Sequence, residues 1–151
     1  MHTAISSDKI DISSENDTED LAKKFLQKIQ PGHIIFLYGE IGVGKTTFIR
    51  YLINELQKKY KLKKTEVTSP TFNLLNEYQI DKIKIKHFDL FRIKSSEELQ
   101  NLDLFGDSLK SLTFIEWPQI IKKKPKNLIE LTFNYENDHR GRSAQIVGLD
   151  L

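Results

Sequence analysis

The stretch Gly39-Glu40-Ile41-Gly42-Val43-Gly44-Lys45-Thr46 determines how the rest of this sequence is interpreted. It fits the phosphate-binding loop pattern, in which a glycine and a four-residue gap precede Gly-Lys-Thr. The glycines permit backbone torsions and close approaches that a side chain would forbid. Successive backbone N–H groups, together with the N-terminus of the following helix, then form a site for an anion. The loop therefore predicts binding of a nucleoside triphosphate.

The segments on either side of the loop support this interpretation. The apolar run His33–Tyr38 is typical of a buried parallel strand. Downstream, Phe48, Leu52 and Leu56 lie four residues apart, which predicts a helix with one apolar face. We expect the backbone of Gly39–Thr47 to surround the phosphates and Lys45 to reach the outer ones. The Thr46 hydroxyl would face a magnesium ion that bridges those phosphates.

Length and composition restrict the class of protein. A chain of 151 residues, 38% hydrophobic and 29% charged, suits a single globular domain spanning 1–151. The absence of cysteine excludes disulfides and thiolate chemistry. No apolar run approaches the roughly 20 residues of a membrane span, and Met1–Asp8 does not have the pattern of a signal peptide. We therefore expect a cytoplasmic protein without a membrane partner.

Charge is a weak indicator of partners in this chain. The formal net charge is only +2, although lysines cluster within 58–64 and 122–126. A solvated surface is the favoured interpretation of these clusters. A surface that meets RNA or an acidic partner is the alternative.

The remaining apolar patterns predict an α/β fold, a P-loop NTPase with a mixed parallel and antiparallel sheet flanked by helices. Before the loop we predict a short strand at Ile10–Ile12 and a helix from about Glu19 to Ile29, capped by Asp17 or Thr18. Two amphipathic strands joined by Asp81-Lys82 predict an antiparallel hairpin, which is why the sheet is mixed. The other predicted elements are strands 72–80, 83–90, 112–116, 128–135 and 144–149, a helix from Ser95 to about Leu104, and a loop at 136–142.

Two acids are candidates for the metal side of the site. Glu116 ends an apolar run typical of a central strand, and Asp89 ends an amphipathic one. P-loop proteins place an acid beside magnesium at the end of a strand that neighbours the loop strand, so Glu116 is favoured. Asp89 would hold magnesium, orient water, or simply cap a turn. Trp117, beside the acid, would pack in the core or contact the site.

Other polar residues near these acids leave their roles open. Pro70 stiffens the connection that carries Thr71, which is interpreted equally well as a nucleotide-linked threonine or as part of an ordinary turn. A structural role is favoured for His87. Arg92 would pair with Asp89 or face phosphate.

Five segments, in this order and spacing, resemble the TsaE (YjeE) family over nearly the whole chain. These are small bacterial P-loop ATPases needed for the threonylcarbamoyl modification of adenosine in transfer RNA. The segments are Gly39–Thr47, Ser69–Phe72, His87–Arg92, Glu97–Leu99 and Ile115–Pro118. The departures from the family pattern are mild, with Glu40 in place of Asp and Phe91 in place of Tyr.

The resemblance implies ATP and Mg²⁺ as ligands and assigns roles to individual residues. Thr46 and Glu116 would hold magnesium, Asp89 would be required for hydrolysis, and Thr71 would belong to a mobile nucleotide-sensing segment. Trp117 would lie near the site, Thr18 near the base, and Arg142 over the adenine. The proteins TsaD and TsaB are the implied partners, with transfer RNA contacted only indirectly. Turnover by the isolated protein would be slow.

Two other functions are compatible with a phosphate-binding loop. A small-molecule kinase needs an acceptor pocket and a basic lid, for which the chain has little length. A nucleotide-binding module without hydrolysis is the second alternative. A GTP switch is disfavoured because no Asn-Lys-x-Asp base-reading motif is present.

Overall fold

The computed structural model describes residues 9–151. Met1–Asp8, over which we predict no signal peptide, lie outside the described residues. Within residues 9–151, none of the helices has the length and apolar character needed to cross a membrane.

A seven-stranded mixed sheet in the described residues forms the centre of the molecule, which confirms the predicted architecture. In space the strands follow the order β1-β7-β6-β2-β5-β4-β3. The phosphate-loop strand β2 lies parallel to both of its neighbours, β5 and β6, and β4 is parallel to β5. The pairs β3–β4, β6–β7 and β1–β7 are antiparallel. The strands are β1 (Ile10–Asp11), β2 (Ile34–Tyr38), β3 (Leu75–Ile80), β4 (Ile83–Asp89), β5 (Ser111–Glu116), β6 (Leu128–Glu136) and β7 (Gly141–Val147).

The described residues contain three α-helices, α1 (Glu15–Leu26), α2 (Lys45–Lys59) and α3 (Ser96–Gln100). Two short 3-10 helices flank β5, at Ser108–Lys110 and Pro118–Ile120. The long helix predicted after the phosphate loop is confirmed as α2, which begins at Lys45 itself. The predicted helix from Ser95 to Leu104 is too long, because regular hydrogen bonding ends at Gln100.

The start of α1 differs from the sequence prediction. Its N-cap is Ser14, whose side chain accepts a hydrogen bond from the Asp17 backbone N–H, while the Asp17 carboxylate accepts from the Ser14 N–H. This reciprocal capping box satisfies two backbone donors at the helix start. Residues 15–18, predicted to be loop or cap, are therefore the first turn of the helix, and the helix ends at Leu26 instead of Ile29.

Two strand boundaries that border the candidate site also differ from the prediction. The strand predicted from Phe72 begins only at Leu75, because Pro70–Leu74 forms a turn closed by the Leu74 N–H and the Pro70 carbonyl. The loop predicted over Glu136–Arg142 is shorter, because β7 begins at Gly141. Arg142 therefore lies on a strand, paired with Tyr135 of β6.

The two faces of the sheet have separate apolar layers. Helices α1 and α2 cover one face, where the rings of Phe25 and Phe48 meet edge-on with centroids 5.4 Å apart. The ring of Phe48 also contacts Phe133 of β6, with centroids 5.8 Å apart. The opposite face buries Phe36 and Phe88 under the segments that flank β5. This aromatic packing anchors α2 to the sheet. Because α2 begins at Lys45, the packing also fixes the position of Lys45.

A charge cluster at the start of β4 gives a stability prediction. Lys86, only 8% exposed, bonds the Asp107 carboxylate, and this bond, with the charges of Lys86 and Lys84, holds the pKa of Asp107 below its usual value of 3.8. We expect Asp107→Asn to lower the free energy of unfolding by roughly 1 kcal/mol, since solvent screens the partly exposed carboxylate. The folded-state pKa is depressed, so the difference is complete above pH 3.8 and disappears as the pH falls through the folded-state value.

Urea unfolding at several pH values measures this difference. The control is Glu77→Gln, which removes an exposed carboxylate 3.8 Å from the Lys84 ammonium and should change stability little. A loss of stability with Asp107→Asn that stays unchanged while the wild-type Asp107 carboxylate becomes protonated at low pH would contradict the assignment.

Candidate active site

A cavity of about 380 Å³ lies where the phosphate loop meets the carboxyl ends of β4 and β5. Parallel strands end at the same edge of a sheet, so residues distant in sequence come together here. Eleven of the fifteen predicted site residues are among its lining residues, and Thr18, Gly39, Glu40 and Val43 are not. The lining consists of Ile41, Gly42, Gly44, Lys45, Thr46, Thr47, Ser69, Thr71, Asp89, Phe91, Glu116, Trp117 and Arg142.

The loop requires glycine at its first position. Gly39 has φ +148°, and a Cβ built there would lie 2.7 Å from Val43 Cγ1 and 2.9 Å from the Phe133 carbonyl oxygen. Both contacts are shorter than a side chain tolerates, so this position excludes other residues. Gly42 and Gly44 also have positive φ, +81° and +120°. Gly44 is the N-cap of α2, so the loop leads directly into a helix N-terminus, where backbone N–H groups favour an anion.

Lys45 is 4% exposed and lies in the middle of the site. Its ammonium bonds the Gly39 carbonyl and lies 3.8 Å from the centroid of the Trp117 ring. Burial lowers the pKa of Lys45, while the carboxylates of Glu116 and Asp89 act in the opposite direction. The ammonium is thus a desolvated charge with incomplete compensation, which an anionic ligand would stabilise.

Thr46 and Glu116 form the second polar group of the site. The Thr46 hydroxyl donates to Glu116 Oε2 over 2.9 Å, and Glu116 is 3% exposed. Glu116 ends β5, which pairs directly with the phosphate-loop strand through Leu37. The position is the one that the sequence analysis assigned to the metal-side acid.

These two residues suit a magnesium ion. The hydroxyl proton of Thr46 points to Glu116, which leaves the lone pairs of its oxygen available to a cation. Mg²⁺ prefers oxygen ligands and takes them from one or two protein groups, substrate phosphates and water. Within residues 9–151, no three His, Asp or Glu side chains group as a metal cage, so phosphate oxygens would have to complete the coordination.

Asp89 ends β4 directly opposite Glu116 in the strand register. Its Oδ1 accepts a hydrogen bond from the Phe91 backbone N–H at 2.9 Å. Its Oδ2 accepts from the hydroxyls of Ser69 and Thr71, at 3.1 and 3.4 Å. Thr71 therefore belongs to the site through Asp89. Ser69 was not among the predicted site residues, although it directly precedes Pro70 on the stiff connection that carries Thr71.

Trp117 and Phe91 form an aromatic wall of the cavity. Their ring centroids are 4.9 Å apart, and Trp117 adopts a left-handed backbone conformation with φ +57°. That conformation turns the chain directly after Glu116 into the 3-10 helix that begins at Pro118. Trp117 lies at the site, as the family resemblance implies, and Phe91 was not among the predicted site residues.

Other predicted residues lie at the edge of the site or outside it. Arg142 lines the cavity, with its guanidinium nitrogens 3.5 Å from the Val43 carbonyl and 3.4 Å from that of Ser13. Thr18 is buried in α1, where its hydroxyl donates to the Ser14 carbonyl, and it is not among the residues that line the cavity. Arg92 is exposed with its guanidinium 5.2 Å from the Phe72 ring, so it contacts neither Asp89 nor the cavity.

Glu40 also lies outside this cavity. Together with Gly39, it lines a neighbouring recess between Trp117 and β6. Its carboxylate is 3.9 Å from His139 Nε2. Val43 is buried in the core behind the loop.

A glycine-rich loop between a central strand and a helix, facing an acid at the end of the next strand, defines an α/β protein of the P-loop class. A family model described as "Threonylcarbamoyl adenosine biosynthesis protein TsaE" matches residues 12–144. The chain therefore belongs to the TsaE family, and the resemblance in its motifs is confirmed.

Individual relatives agree with this assignment. The tRNA threonylcarbamoyladenosine biosynthesis protein TsaE of Rickettsia bellii is 40% identical over 130 residues, covering 85% of this chain and 88% of the relative. The protein of the same name from Borreliella burgdorferi is 36% identical over 144 residues, covering 92% of this chain and 98% of the relative. The crystal structure of YdiB from Bacillus subtilis superposes with a TM-score of 0.72 at 18% identity, covering 99% of this chain and 90% of that one, which supports the fold.

Proposed function

We propose that this protein is the ATP-binding and ATP-hydrolysing subunit needed for N6-threonylcarbamoyladenosine modification of transfer RNA. It would act in the cytoplasm with the proteins TsaD and TsaB and meet transfer RNA through them. Family membership supports the pathway. The main support for ATPase activity is that one cavity is lined by four residues suited to it, Lys45, Thr46, Asp89 and Glu116.

Each of these residues has a distinct task in the proposed reaction. The loop N–H groups and the Lys45 ammonium bind the phosphate chain and stabilise charge on its outer oxygens. Thr46 and Glu116 would hold Mg²⁺, which when bound neutralises phosphate charge. Trp117 and Phe91 give the cavity one apolar wall.

Asp89 is the residue suited to orient the attacking water. Its Oδ2 accepts from the hydroxyls of Ser69 and Thr71, whereas its Oδ1 accepts from the Phe91 N–H and keeps a second lone pair that can accept from a water O–H. Because these bonds hold both oxygens, the carboxylate has a defined direction. A water held in this manner would be the nucleophile that attacks the outer phosphate.

The same geometry supports the expectation that turnover by the isolated protein is slow. One of the residues that line the cavity, Arg142, is an arginine. Its guanidinium contacts the backbone carbonyls of Val43 and Ser13. An arginine that stabilises the transition state can raise phosphoryl-transfer rates by about 10³–10⁵-fold, and partners often supply it. We therefore expect turnover to rise when TsaD and TsaB are added.

The substitution Asp89→Asn tests the proposal. It retains size but removes the charge, so we expect phosphate release to fall at least about 100-fold while ATP affinity changes less than about threefold. Phosphate release and ATP binding are measured with and without TsaD, TsaB and transfer RNA. Asp81→Asn, the same change in the exposed β3–β4 turn, is the control and should behave as wild type.

Each contrary outcome identifies a different function. Wild-type phosphate release by Asp89→Asn would exclude the proposed role of Asp89. Transfer of phosphate to a metabolite instead of water would indicate a small-molecule kinase. Tight ATP binding without hydrolysis, even in the assembled complex, would indicate a binding module.

A further inference from the structure

His87 is a fully buried polar residue for which the proposed reaction has no task. Its side chain is 0% exposed, and its Nε2 lies 2.5 Å from Glu116 Oε2. The same oxygen accepts the Thr46 hydroxyl at 2.9 Å. One carboxylate oxygen of Glu116 is thus shared by two partners, one from α2 and one from β4.

The strand pairing explains why His87 reaches Glu116. In the parallel register of β4 and β5, Asp89 lies opposite Glu116 and His87 lies opposite Phe114. Side chains two residues apart project from the same face of a strand, so His87 and Asp89 share a face. The strand β4 therefore supplies two side chains on this face. Asp89 lines the cavity, and His87 contacts Glu116 from within the core.

Hydrogen bonding determines which nitrogen of His87 carries the proton. A carboxylate is an acceptor only, so the short contact requires an N–H at Nε2. The other nitrogen, Nδ1, is buried and has no partner among the described residues. A bare nitrogen at Nδ1 avoids placing a second, unpaired N–H in the core, which favours the Nε2–H tautomer.

We propose that His87 is a positioning residue that holds the Glu116 carboxylate in place for the magnesium site, by donating its Nε2–H to Oε2. The inference rests on the proposed function, because the role given to His87 is to orient Glu116, the acid proposed to hold Mg²⁺. The bond orients the carboxylate relative to the Thr46 hydroxyl. Partners of metal-binding carboxylates typically contribute about 10–100-fold to metal affinity or activity.

Two variants separate positioning from simple core packing. His87→Phe preserves an aromatic ring but removes the donor, and His87→Gln preserves an N–H group on a side chain of similar reach. If His87 only fills space, Phe should be tolerated better than Gln. If it positions Glu116, Gln should recover function that Phe loses.

Magnesium dependence of nucleotide binding is the first measurement. Trp117 is the single tryptophan and lines the cavity, so its fluorescence reports binding without hydrolysis. We expect His87→Phe to raise the Mg²⁺ concentration for half-maximal ATP binding at least about 10-fold, with ATP binding in EDTA unchanged. His87→Gln should recover most of this loss. Wild-type Mg²⁺ dependence in a folded His87→Phe variant would overturn the proposal.

Thr113→Val provides the matched control. Thr113 is a buried β5 residue whose Oγ1 also has no partner among the described residues. It adjoins Phe114 in the chain, so its side chain projects from the opposite face of the sheet from that of Glu116. Replacing it should leave the Mg²⁺ dependence unchanged. A shift as large as that of His87→Phe would show that any change in this core has the effect and would overturn the specific role.

The histidine tautomer gives a readout that needs no ligand. Long-range ¹H–¹⁵N correlation spectra distinguish a protonated from a bare ring nitrogen, and His87 is assigned by its loss in His87→Gln. We expect protonation at Nε2 and a bare Nδ1, and the opposite tautomer overturns the proposal. If the tautomer is as expected but wild-type ATP binding does not respond to Mg²⁺, the proposed function fails, and with it the purpose assigned to the bond.

Discussion

The substitution Lys45→Met is expected to reduce ATP hydrolysis at least about 100-fold without reducing stability. The Lys45 ammonium is a buried positive charge that lines the cavity, and methionine cannot replace it there. In the folded protein this charge is costly, because burial lowers the pKa of Lys45 despite the nearby acids. Methionine has similar length and suits the contact with Trp117. The free energy of unfolding should therefore be no lower than that of wild type, within about 0.5 kcal/mol.

Phosphate release, ATP binding and urea unfolding together test this expectation. Lys58→Met, the same change at the exposed end of α2, is the control and should alter none of the three. Hydrolysis within tenfold of wild type would contradict the central role of Lys45. A clear loss of stability would instead show that its contacts with the Gly39 carbonyl and the Trp117 ring outweigh the cost of burial.

The largest loss of stability is expected from Phe48→Ala. Phe48 is 0% exposed and contacts the rings of both Phe25 and Phe133, so it joins α2 to α1 and to the sheet. Removing such a ring leaves a cavity that the surrounding residues fill only in part, and the expected cost is about 3–5 kcal/mol. For a chain of this length, the melting temperature should fall by about 10 °C.

Thermal and urea unfolding measure this loss, and ATP binding should weaken with it because Phe48 follows Lys45 by three residues on α2. Phe72→Ala removes a ring that is 83% exposed and should change stability by less than about 0.5 kcal/mol. A cost below 1 kcal/mol for Phe48→Ala would indicate that α1 and α2 close the gap by moving together.

The sequence was sufficient for the parts of the molecule that depend on local spacing. The phosphate loop, its flanking strand and its helix follow from one continuous segment, His33–Leu56. The juxtaposition of Thr46 and Glu116, 70 residues apart, was predicted from the rule that parallel strands end at a common edge. The β3–β4 hairpin followed from alternation and a two-residue turn.

Features that depend on contacts between distant side chains could not be predicted in the same way. The capping box of α1 was missed because Asp17, in place of the usual Glu or Gln, reaches back to Ser14. His87 was interpreted as structural because its spacing from Asp89 does not reveal that it contacts Glu116, 29 residues away. Arg142 was placed in a loop because the residues at the start of β7 are polar and lack the apolar alternation of a strand. Their strand conformation comes from pairing with β6.

The order of the strands has a consequence for how the chain acquires its site during synthesis. Within residues 9–151, the strand β2 pairs with β5 and β6, which end at Glu116 and Glu136, so both of these neighbours leave the ribosome long after it does. The phosphate loop is thus synthesised early, but the strand before it cannot pair with β5 and β6 until most of the chain has emerged. Such distant pairings slow folding, and a chain interrupted before Leu128 would leave one edge of β2 open to association with other chains.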